Sequence, residues 1–398
     1  MVSYLVKLAA LAAVIAPVFA TPVPNGGHLK IRNNDATDVI PDSYIVVYKN
    51  DIDDETIESH QNSIGSMLSR RDSQGVGATY TMELLKGYQI NADSGTMDKI
   101  GAKPEVDYIQ KDRKVYANDL TTQAGAPWGL GRISHRNKGN LSYIYDTTAG
   151  SGASVYVVDT GIYTGHSEFG GRASMGANFV TGSANTDEHG HGTHCAATIA
   201  GTRYGVAKSA NVVGVKVLGK DGAGSTSDVI SGVQWVGANH AANAVLTMSL
   251  GETFDSAVNS AVKSTYNLGV TVVVAAGNSA TDVSEFSPAS EPTAITVGAI
   301  DSDDARASFS NFGSLVDIFS PGVNILSAWI GNPDATQMMS GTSMAAPYIA
   351  GLAAYLIILE SITTPAGVAS RIQALATSGK ITQAESTNNL IGYNGDST

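Results

Sequence analysis

An intrachain disulfide is excluded, because the chain of 398 residues contains one cysteine, Cys195. Charged residues are also scarce, at 15% of the chain, and acidic residues outnumber basic ones by 36 to 24. A net charge of −12, without a run of lysine or arginine, argues against binding to nucleic acid or to an anionic membrane surface. Glycine, by contrast, is abundant, with 43 residues, which is typical of a compact protein with many tight turns.

The N-terminal apolar run, residues 8–18, is too short for a membrane span and is interrupted by Pro17. It follows Lys7 and ends in Val18-Phe19-Ala20, the small-residue pattern of a signal-peptidase site. The sequence therefore predicts a signal peptide at residues 1–20 and a secreted, extracellular protein without a membrane span.

Three segments together predict the parts of an acyl-transfer site. Segment 340–347 (SGTSMAAP) places Ser343 where a loop turns into an apolar helix, whose unpaired N–H groups can receive negative charge on a substrate oxygen. Taken alone, this serine-rich turn is also a common helix cap. Segment 155–161 (VYVVDTG) reads as a buried strand that ends in Asp159, and segment 189–195 (HGHGTHC) opens a small-residue helix with three histidines. Serine, histidine and aspartate are the groups that such chemistry requires.

The chain resembles the subtilisin family of serine proteases, and within it the fungal proteinase K branch. The resemblance rests on segments 157–161 (VVDTG), 190–196 (GHGTHCA), 275–278 (AAGN), 308–313 (SFSNFG) and 341–347 (GTSMAAP), in the family order. It implies a catalytic triad of Asp159, His191 and Ser343, with His191 as the base. His194 is then expected to pack and hydrogen-bond, and His189 to be solvated or locally paired.

From Trp128 onward, apolar strands alternate with helices, which predicts an α/β domain with a mostly parallel sheet and helices on both faces. In such a fold, functional residues gather beyond the carboxyl ends of the strands, where Asp159, Ser249 and Asn278 fall. The predicted strands are 154–158, 212–217, 245–249, 270–275 and 294–297, and the predicted helices lie near 191–200, 225–242, 255–268 and 342–359.

Residues 40–117 resemble, more weakly, the inhibitor-like propeptide of the same proteases. The pattern predicts a small ferredoxin-like α+β module with strands at 43–49, 87–91 and 106–109 and helices at 55–70 and 95–100. An independent binding domain would look the same, but a position between signal peptide and protease favours a propeptide. We predict a propeptide at 21–118 and a catalytic domain at 119–398, with the maturation cut between Ala117 and Thr121.

Two alternatives concern the histidine segment. Cys195, four residues from His191, could be a catalytic thiol, but its place in a small-residue helix favours a buried structural thiol. His189, His191 and His194 could instead form a zinc site with water as the nucleophile. The zinc hypothesis leaves Asp159 and Ser343 without a role, and the segment has no His-Glu-x-x-His arrangement.

The resemblance also implies the oxyanion and substrate contacts. Asn278 is expected to donate its side-chain N–H to the tetrahedral oxyanion, together with the backbone N–H of Ser343. An extended peptide is expected to bind as a strand between two backbone segments, Gly222-Ala223-Gly224 and Ser249-Leu250-Gly251. Such binding implies broad specificity with a preference for apolar or aromatic side chains. Glu252 departs from the family pattern, since proteinase K has glycine there. A carboxylate at the pocket rim would favour basic or polar side chains; otherwise it is solvated.

Two further sites follow from the sequence. Family calcium binding maps onto the carboxylate of Asp317 and the carbonyls of Pro292 and Ala294, which are hard oxygen ligands, although Asp317 could be a plain strand-edge charge. Asn140-Leu141-Ser142 is the one glycosylation sequon.

The sequence as a whole predicts a secreted, monomeric serine endopeptidase that is made as a self-processing zymogen. Its partners would be protein and peptide substrates and its own propeptide, which acts as folding aid and inhibitor. The alternative is a catalytically silent binding protein on the same scaffold.

Overall fold

The computed structural model describes residues 31–33, 39–65, 68, 75–82, 84–113 and 120–396. These residues form two compact units, a smaller one before residue 117 and a larger one after it. The predicted signal peptide, and residues 117–119 of the predicted cut region, lie outside the described residues.

The smaller unit is a four-stranded antiparallel sheet with two helices. Its elements are β1 Val39–Tyr48, α1 Asp54–Gly65, β2 Gly75–Met82, β3 Leu85–Asn91, α2 Ser94–Gly101 and β4 Val106–Arg113. The strand order is β2-β3-β1-β4. Ile64 of α1 and Ile100 of α2 are fully buried in one cluster with Val46 and Ile90 of the sheet. Both helices therefore pack on the sheet, and the predicted ferredoxin-like α+β module is confirmed.

The sequence patterns missed strand β2. This edge strand is mostly exposed and contains two glycines, so no alternation of buried and exposed side chains marks it. Strand β4 was predicted to end at Ile109 and continues to Arg113 with half-buried polar residues.

The larger unit alternates helices with strands. Its described helices are α3 Trp128–Ser134, α4 His191–Ala200, α5 Thr226–Asn239, α6 Ser256–Asn267, α7 Thr342–Leu359 and α8 Pro365–Leu375. Its described strands are β5 Leu120–Ala124, β6 Ser142–Asp146, β7 Ser154–Asp159, β8 Ala173–Asn178, β9 Asn211–Lys216, β10 Ala244–Met248, β11 Glu252–Thr253, β12 Thr271–Ala275, β13 Phe286–Ser287, β14 Ile295–Ile300, β15 Ile318–Pro321, β16 Ile325–Ala328, β17 Thr336–Met339, β18 Thr377–Ser378 and β19 Leu390–Ile391.

Nine strands form the central sheet, in the order β18-β19-β15-β14-β12-β10-β7-β9-β8. All neighbours from β19 to β8 are parallel, and β18 joins antiparallel. The predicted mostly parallel sheet is confirmed.

Helices cover both faces of this sheet. Val155 and Val157 pack in one cluster with α4 and α7, whereas Tyr156 and Val158 pack in another cluster with α5 and α6. Successive side chains of a strand point to opposite faces. The two clusters are therefore the two faces of one sheet, as predicted.

By its length and apolar composition, helix α7 could cross a membrane, and it is the one such helix among the described residues. However, 83% of it is buried inside the protein, where it packs against α4 and the central strands. This degree of burial is typical of a core helix that packs on a sheet covered on both faces.

Candidate active site

Asp159 and His191 meet at the carboxyl end of the central sheet. Asp159 is the last residue of β7, and His191 is the first residue of α4. Nδ1 of His191 lies 2.8 Å from Oδ1 and 2.9 Å from Oδ2 of Asp159. Burial lowers the pKa of His191, but the adjacent Asp159 carboxylate outweighs burial and holds the pKa well above 6.5. With its proton on Nδ1 directed to Asp159, the neutral imidazole presents Nε2 as a strong acceptor.

Asp187 fixes the turn that leads into α4. Its Oδ1 accepts hydrogen bonds from the N–H groups of His189 (2.9 Å) and Gly190 (2.8 Å). Its Oδ2 accepts from the N–H (2.9 Å) and the hydroxyl (2.6 Å) of Thr193. The carboxylate therefore satisfies N–H groups that a helix start leaves without an internal partner.

Thr160 links this turn to Asp159. Its hydroxyl donates to Oδ1 of Asp187 (2.9 Å) and accepts from the N–H of Gly192 (2.9 Å). Its own N–H donates to Oδ1 of Asp159 (2.7 Å). One side chain thus joins the end of β7 to the first turn of α4 and sets the separation of Asp159 and His191. Neither Thr160 nor Asp187 was predicted from the sequence, although an aspartate just before a helix is a visible capping signal.

Gly190 makes the turn possible. Its φ of 110° lies in the left-handed region that favours glycine. A Cβ at this position would also lie 2.4 Å from the ring of Trp329. The ring of His189 packs beside the same indole, with centroids 6.2 Å apart, so His189 is locally paired rather than freely solvated.

Ser343 is the second residue of α7 and is held by Ser249, which follows β10. The Ser343 hydroxyl donates to the carbonyl of Ser249 (3.0 Å), and the Ser249 hydroxyl donates to the carbonyl of Ser343 (3.0 Å). In this conformation the Ser343 proton is directed to Ser249, so transfer to His191 requires the hydroxyl to turn toward the imidazole. Such loose nucleophile contacts are common in proteins without bound substrate.

Cys195 lies beneath this group as a free, buried thiol. Its Sγ donates to the carbonyl of Ser343 (3.4 Å) and lies 4.0 Å from Nδ1 of His191. Burial raises the pKa of the Cys195 thiol. A protonated thiol without access to solvent is a packing group rather than a nucleophile.

Asn278 follows β12 and is oriented by Thr342. Oδ1 of Asn278 accepts from the N–H (2.8 Å) and the hydroxyl (2.9 Å) of Thr342. The amide nitrogen Nδ2 is thereby turned away from Thr342. A Cβ placed on Gly341 would lie 3.5 Å from this Nδ2 and 3.7 Å from the backbone nitrogen of Ser343. The side-chain amide of Asn278 and the backbone nitrogen of Ser343 therefore both lie near Gly341 at the start of α7, as two donors to one oxyanion would have to.

The three histidines do not form the alternative zinc site. Nε2 of His194 donates to the carbonyls of Ile325 (3.1 Å) and Gln337 (3.2 Å) inside the core. In the described part of the chain, the group with metal-ligand spacing is Asp159, His191 and Cys195, whose ligand atoms lie within 4.8 Å of one another. His191 is the one histidine in it, and its Nδ1 is already paired with Asp159.

One of the predicted substrate segments, Ser249-Leu250-Gly251, borders a cavity of about 180 Å³ through Leu250 and Gly251. Segment 222–224 follows β9 and is largely exposed, and Ser249-Leu250-Gly251 follows β10. The cavity lining includes Leu250, Gly251, Glu252, Asn278 and Ser343. A substrate side chain placed there would lie directly beside Ser343. A second cavity of about 260 Å³, near Trp128, has no part in this arrangement.

Comparison with known proteins decides the family. The sequence profile described as "Subtilase family" matches residues 150–393, more than half of the chain. The chain belongs to the subtilase family. A second profile, "Peptidase inhibitor I9", matches residues 43–118. The subtilase therefore carries an inhibitor-type propeptide ahead of its catalytic domain.

Similar proteins agree over nearly the whole length. "Subtilisin-like protease 2" of Pseudogymnoascus destructans is 54% identical over 393 residues, 98% of each chain. "Cuticle-degrading protease" of Metarhizium anisopliae is 44% identical over 401 residues, 98% of this chain and 99% of that one. The crystal structure of "a cold adapted subtilisin-like serine proteinase" matches with a TM-score of 0.66 and 44% identity, covering 68% of this chain and 99% of that chain. The subtilase is thus a subtilisin-like serine endopeptidase with a zymogen organisation.

The expected calcium ligands lie beside β14. Oδ2 of Asp317 accepts from the N–H of Thr296 (2.8 Å), and Oδ1 lies 3.4 Å from Nε2 of Gln373. Burial raises the pKa of Asp317 from 3.8 to about 6. No lysine or arginine pairs with it among the described residues. A desolvated carboxylate without a cationic partner fits the chemistry of a calcium ligand.

The predicted glycosylation site is on the surface of the subtilase. Asn140 is exposed, and its Oδ1 accepts from the N–H (2.9 Å) and the hydroxyl (2.8 Å) of Ser142. The sequon is therefore accessible and locally ordered.

Proposed function

We propose that this subtilase is a secreted endopeptidase of broad specificity that uses Asp159, His191 and Ser343 as its catalytic triad. The observation that carries the proposal is the buried Asp159–His191 pair at the start of α4, with Ser343 at the start of α7 on the same edge of the sheet. A catalytically silent scaffold would not need to retain all of these groups.

The proposed reaction is acyl transfer in two halves. Ser343 Oγ attacks the scissile carbonyl while Nε2 of His191 takes its proton, and Asp159 stabilises the imidazolium that forms. The oxyanion receives N–H donors from Asn278 Nδ2 and the Ser343 backbone. His191 then gives the proton to the leaving amine, and water repeats the sequence to release the acyl group.

Peptide binding is proposed to depend mainly on the main chain. The largely exposed segment Gly222-Ala223-Gly224 and the segment Ser249-Leu250-Gly251, which is exposed at Gly251, offer backbone groups to an extended substrate, which makes recognition tolerant of sequence. The cavity beside Ser343 is lined in part by apolar side chains such as Leu250 and Phe286, which supports acceptance of apolar or aromatic side chains next to the cleaved bond.

Self-maturation tests the catalytic assignment. When the precursor is expressed in a host without other proteases, the wild type is expected to cut itself between residues 117 and 121, whereas Ser343→Ala is expected to remain uncut. Ser340→Ala, which removes an exposed hydroxyl three residues away, serves as the matched control and should mature normally. Normal maturation of Ser343→Ala would refute the triad.

Calcium is proposed to stabilise the subtilase through the carboxylate of Asp317 and the carbonyls of Pro292 and Ala294. The ion would supply the positive charge that the desolvated carboxylate lacks. Calcium should therefore slow thermal inactivation of the wild type, and a chelator should reverse the effect. The calcium response should vanish in Asp317→Asn and persist in the control Asp228→Asn; an unchanged response in Asp317→Asn would refute the site.

Export and glycosylation complete the proposal. Residues 1–20 act as a signal peptide, Asn140 accepts a glycan, and the mature enzyme is a monomer. Mass spectrometry of protein from a fungal host should show a mature N-terminus between 117 and 121 and a glycan that Asn140→Gln removes. Retention of the chain in the cell would count against export.

A further inference from the structure

Glu252 connects the two substrate segments. It follows Gly251 directly and pairs with Ser287 in the ribbon of β11 and β13. Its carboxylate accepts from the hydroxyl of Thr226 at both oxygens, at 3.1 and 2.8 Å. Thr226 is the first residue of α5 and lies two residues after Gly224. The side chain of Glu252 therefore reaches from the end of one segment to the end of the other, and it is not simply solvated.

The charge of Glu252 is not compensated by a basic side chain. Its described partner is the neutral hydroxyl of Thr226, and no lysine, arginine or histidine lies within salt-bridge distance in the described part of the chain. Glu252 is half-buried and also lines the cavity next to Ser343. A fixed, partly desolvated carboxylate attracts a cation more strongly than a fully solvated one does.

We infer that Glu252 makes one subsite of the substrate cleft selective for a basic side chain, lysine or arginine, an inference that rests on the proposed function. The anchor on Thr226 fixes where the carboxylate lies, so a substrate ammonium or guanidinium group needs no rearrangement to reach it. The free lone pairs of the two oxygens accept its N–H donors.

The selectivity should belong to a single substrate position. In an extended peptide, successive side chains point to opposite sides, so the residues before and after the one above Glu252 point away from it. A general electrostatic attraction between an acidic enzyme and basic peptides would instead act at every position. The position dependence therefore separates a subsite from a surface field.

Fluorogenic peptides test this inference. Each carries lysine or its uncharged analogue norleucine at one of the four positions before the cleaved bond, and the lysine-to-norleucine ratio of kcat/KM is measured at low and high salt. For the wild type we expect this ratio to be about three- to tenfold higher at one position than at the other three. High salt should reduce the difference. Glu252→Gln should abolish this preference, and Asp228→Asn, which removes a carboxylate from the first turn of α5, should keep it.

A charge-reversal variant distinguishes loss of the subsite from loss of folding. Glu252→Lys should prefer glutamate to glutamine at the same position, which a merely damaged enzyme would not do. A wild-type ratio near one at all positions in an active enzyme, or an unchanged ratio in Glu252→Gln, would overturn the inference alone. Failure of the wild type to cleave any of the peptides would overturn the proposed function and the inference with it.

Discussion

Single residues determine the chemistry at the sheet edge, and Asn278 gives the clearest case. Thr342 donates two hydrogen bonds to its amide oxygen, and its Nδ2 lies near Gly341, as does the backbone nitrogen of Ser343. We expect Asn278→Ala to lower kcat by about two to three orders of magnitude with little change in KM, because the bond forms fully only in the transition state. The size of the effect is that known for the equivalent asparagine of subtilisin. A large rise in KM with normal kcat would contradict the role.

Thr160 is expected to act through Asp159 and His191 without touching substrate. Thr160→Val removes the bonds to Asp187 and Gly192, so the Asp159–His191 pair should loosen. We expect kcat to fall about tenfold or more, as for loss of a preorganised contact, and the acid limb of the pH profile to move to lower pH, since Asp159 then raises the His191 pKa less.

Thr160→Ser is the matched control, because it keeps the hydroxyl and should restore both kcat and the pH profile. A Thr160→Val enzyme that lost only stability, with an unshifted pH profile, would show that the residue is structural.

Some of these residues could be predicted from the sequence, and others could not. Asp159, His191, Ser343 and Asn278 lie in short segments whose residue order is distinctive. Thr160 and Asp187 act through hydrogen bonds that span 27 residues of the chain, so no local pattern connects them. Glu252 stood out only as a departure from the family pattern, and its partner Thr226 lies 26 residues away.

Among the secondary-structure elements, helix α4 carries both His191 of the proposed triad and the buried His194, whose neutral form stabilises the fold. Burial lowers the pKa of His194 to about 4, and its Nε2 ties α4 to β16 and β17. Because the folded pKa lies below 6.5, the unfolded chain binds the proton first as the pH falls. The stability from neutral His194 is present above pH 6.5 and is lost toward pH 4, by up to about 3 kcal/mol.

This loss can be measured on mature enzyme inactivated with a sulfonyl fluoride, which prevents self-digestion. Unfolding in guanidinium chloride is measured at pH 7 and pH 5 for the wild type and for His194→Gln, because Asp317 and Asp396, whose raised pKa values of about 6 stabilise the fold as the pH falls, contribute equally to both proteins. His194→Gln keeps an N–H donor but cannot titrate, so on going from pH 7 to pH 5 its stability should fall less, or rise more, than that of the wild type. Equal pH dependence in both proteins would contradict the assignment.

Elements were predictable where their side chains show a strong pattern. Strands β7, β9, β10 and β12 of the sheet centre are continuous apolar runs and were placed to within one residue at each end, whereas β14 was predicted to end at Val297 and continues to Ile300. Strand β8 was missed because it is an edge strand of small residues, Ala-Ser-Met-Gly-Ala-Asn. Helix α8 was missed although Thr364 and Pro365 form a recognisable N-terminal cap. Helix α3 begins after Pro127 without a side-chain cap and contains two glycines, so its sequence carries no helix signal.

For the whole molecule, the propeptide is expected to guide folding. The large parallel sheet depends on contacts between residues distant in sequence, which form slowly, and no disulfide assists them. Residues 119–398 refolded alone should yield little activity. Separately added residues 21–118 should rescue folding and then inhibit at submicromolar concentration.

A pair of propeptide variants tests whether the folded unit is needed. Ile64 is fully buried in the core of the smaller unit, whereas Leu84 is 86% exposed. Ile64→Asp should abolish the rescue, and Leu84→Asp should retain it. Efficient refolding of residues 119–398 without any propeptide would contradict this account.

The central claim is that Ser343 is the nucleophile of a triad with His191 and Asp159. Intact-mass and peptide mapping of the mature enzyme after treatment with a phosphonyl fluoride tests it most directly. We predict one adduct per chain, located on Ser343, with loss of activity in proportion to labelling and no adduct on Ser343→Ala. Activity that survives complete labelling, or that is lost to a zinc chelator while Ser343 stays unlabelled, would contradict the claim.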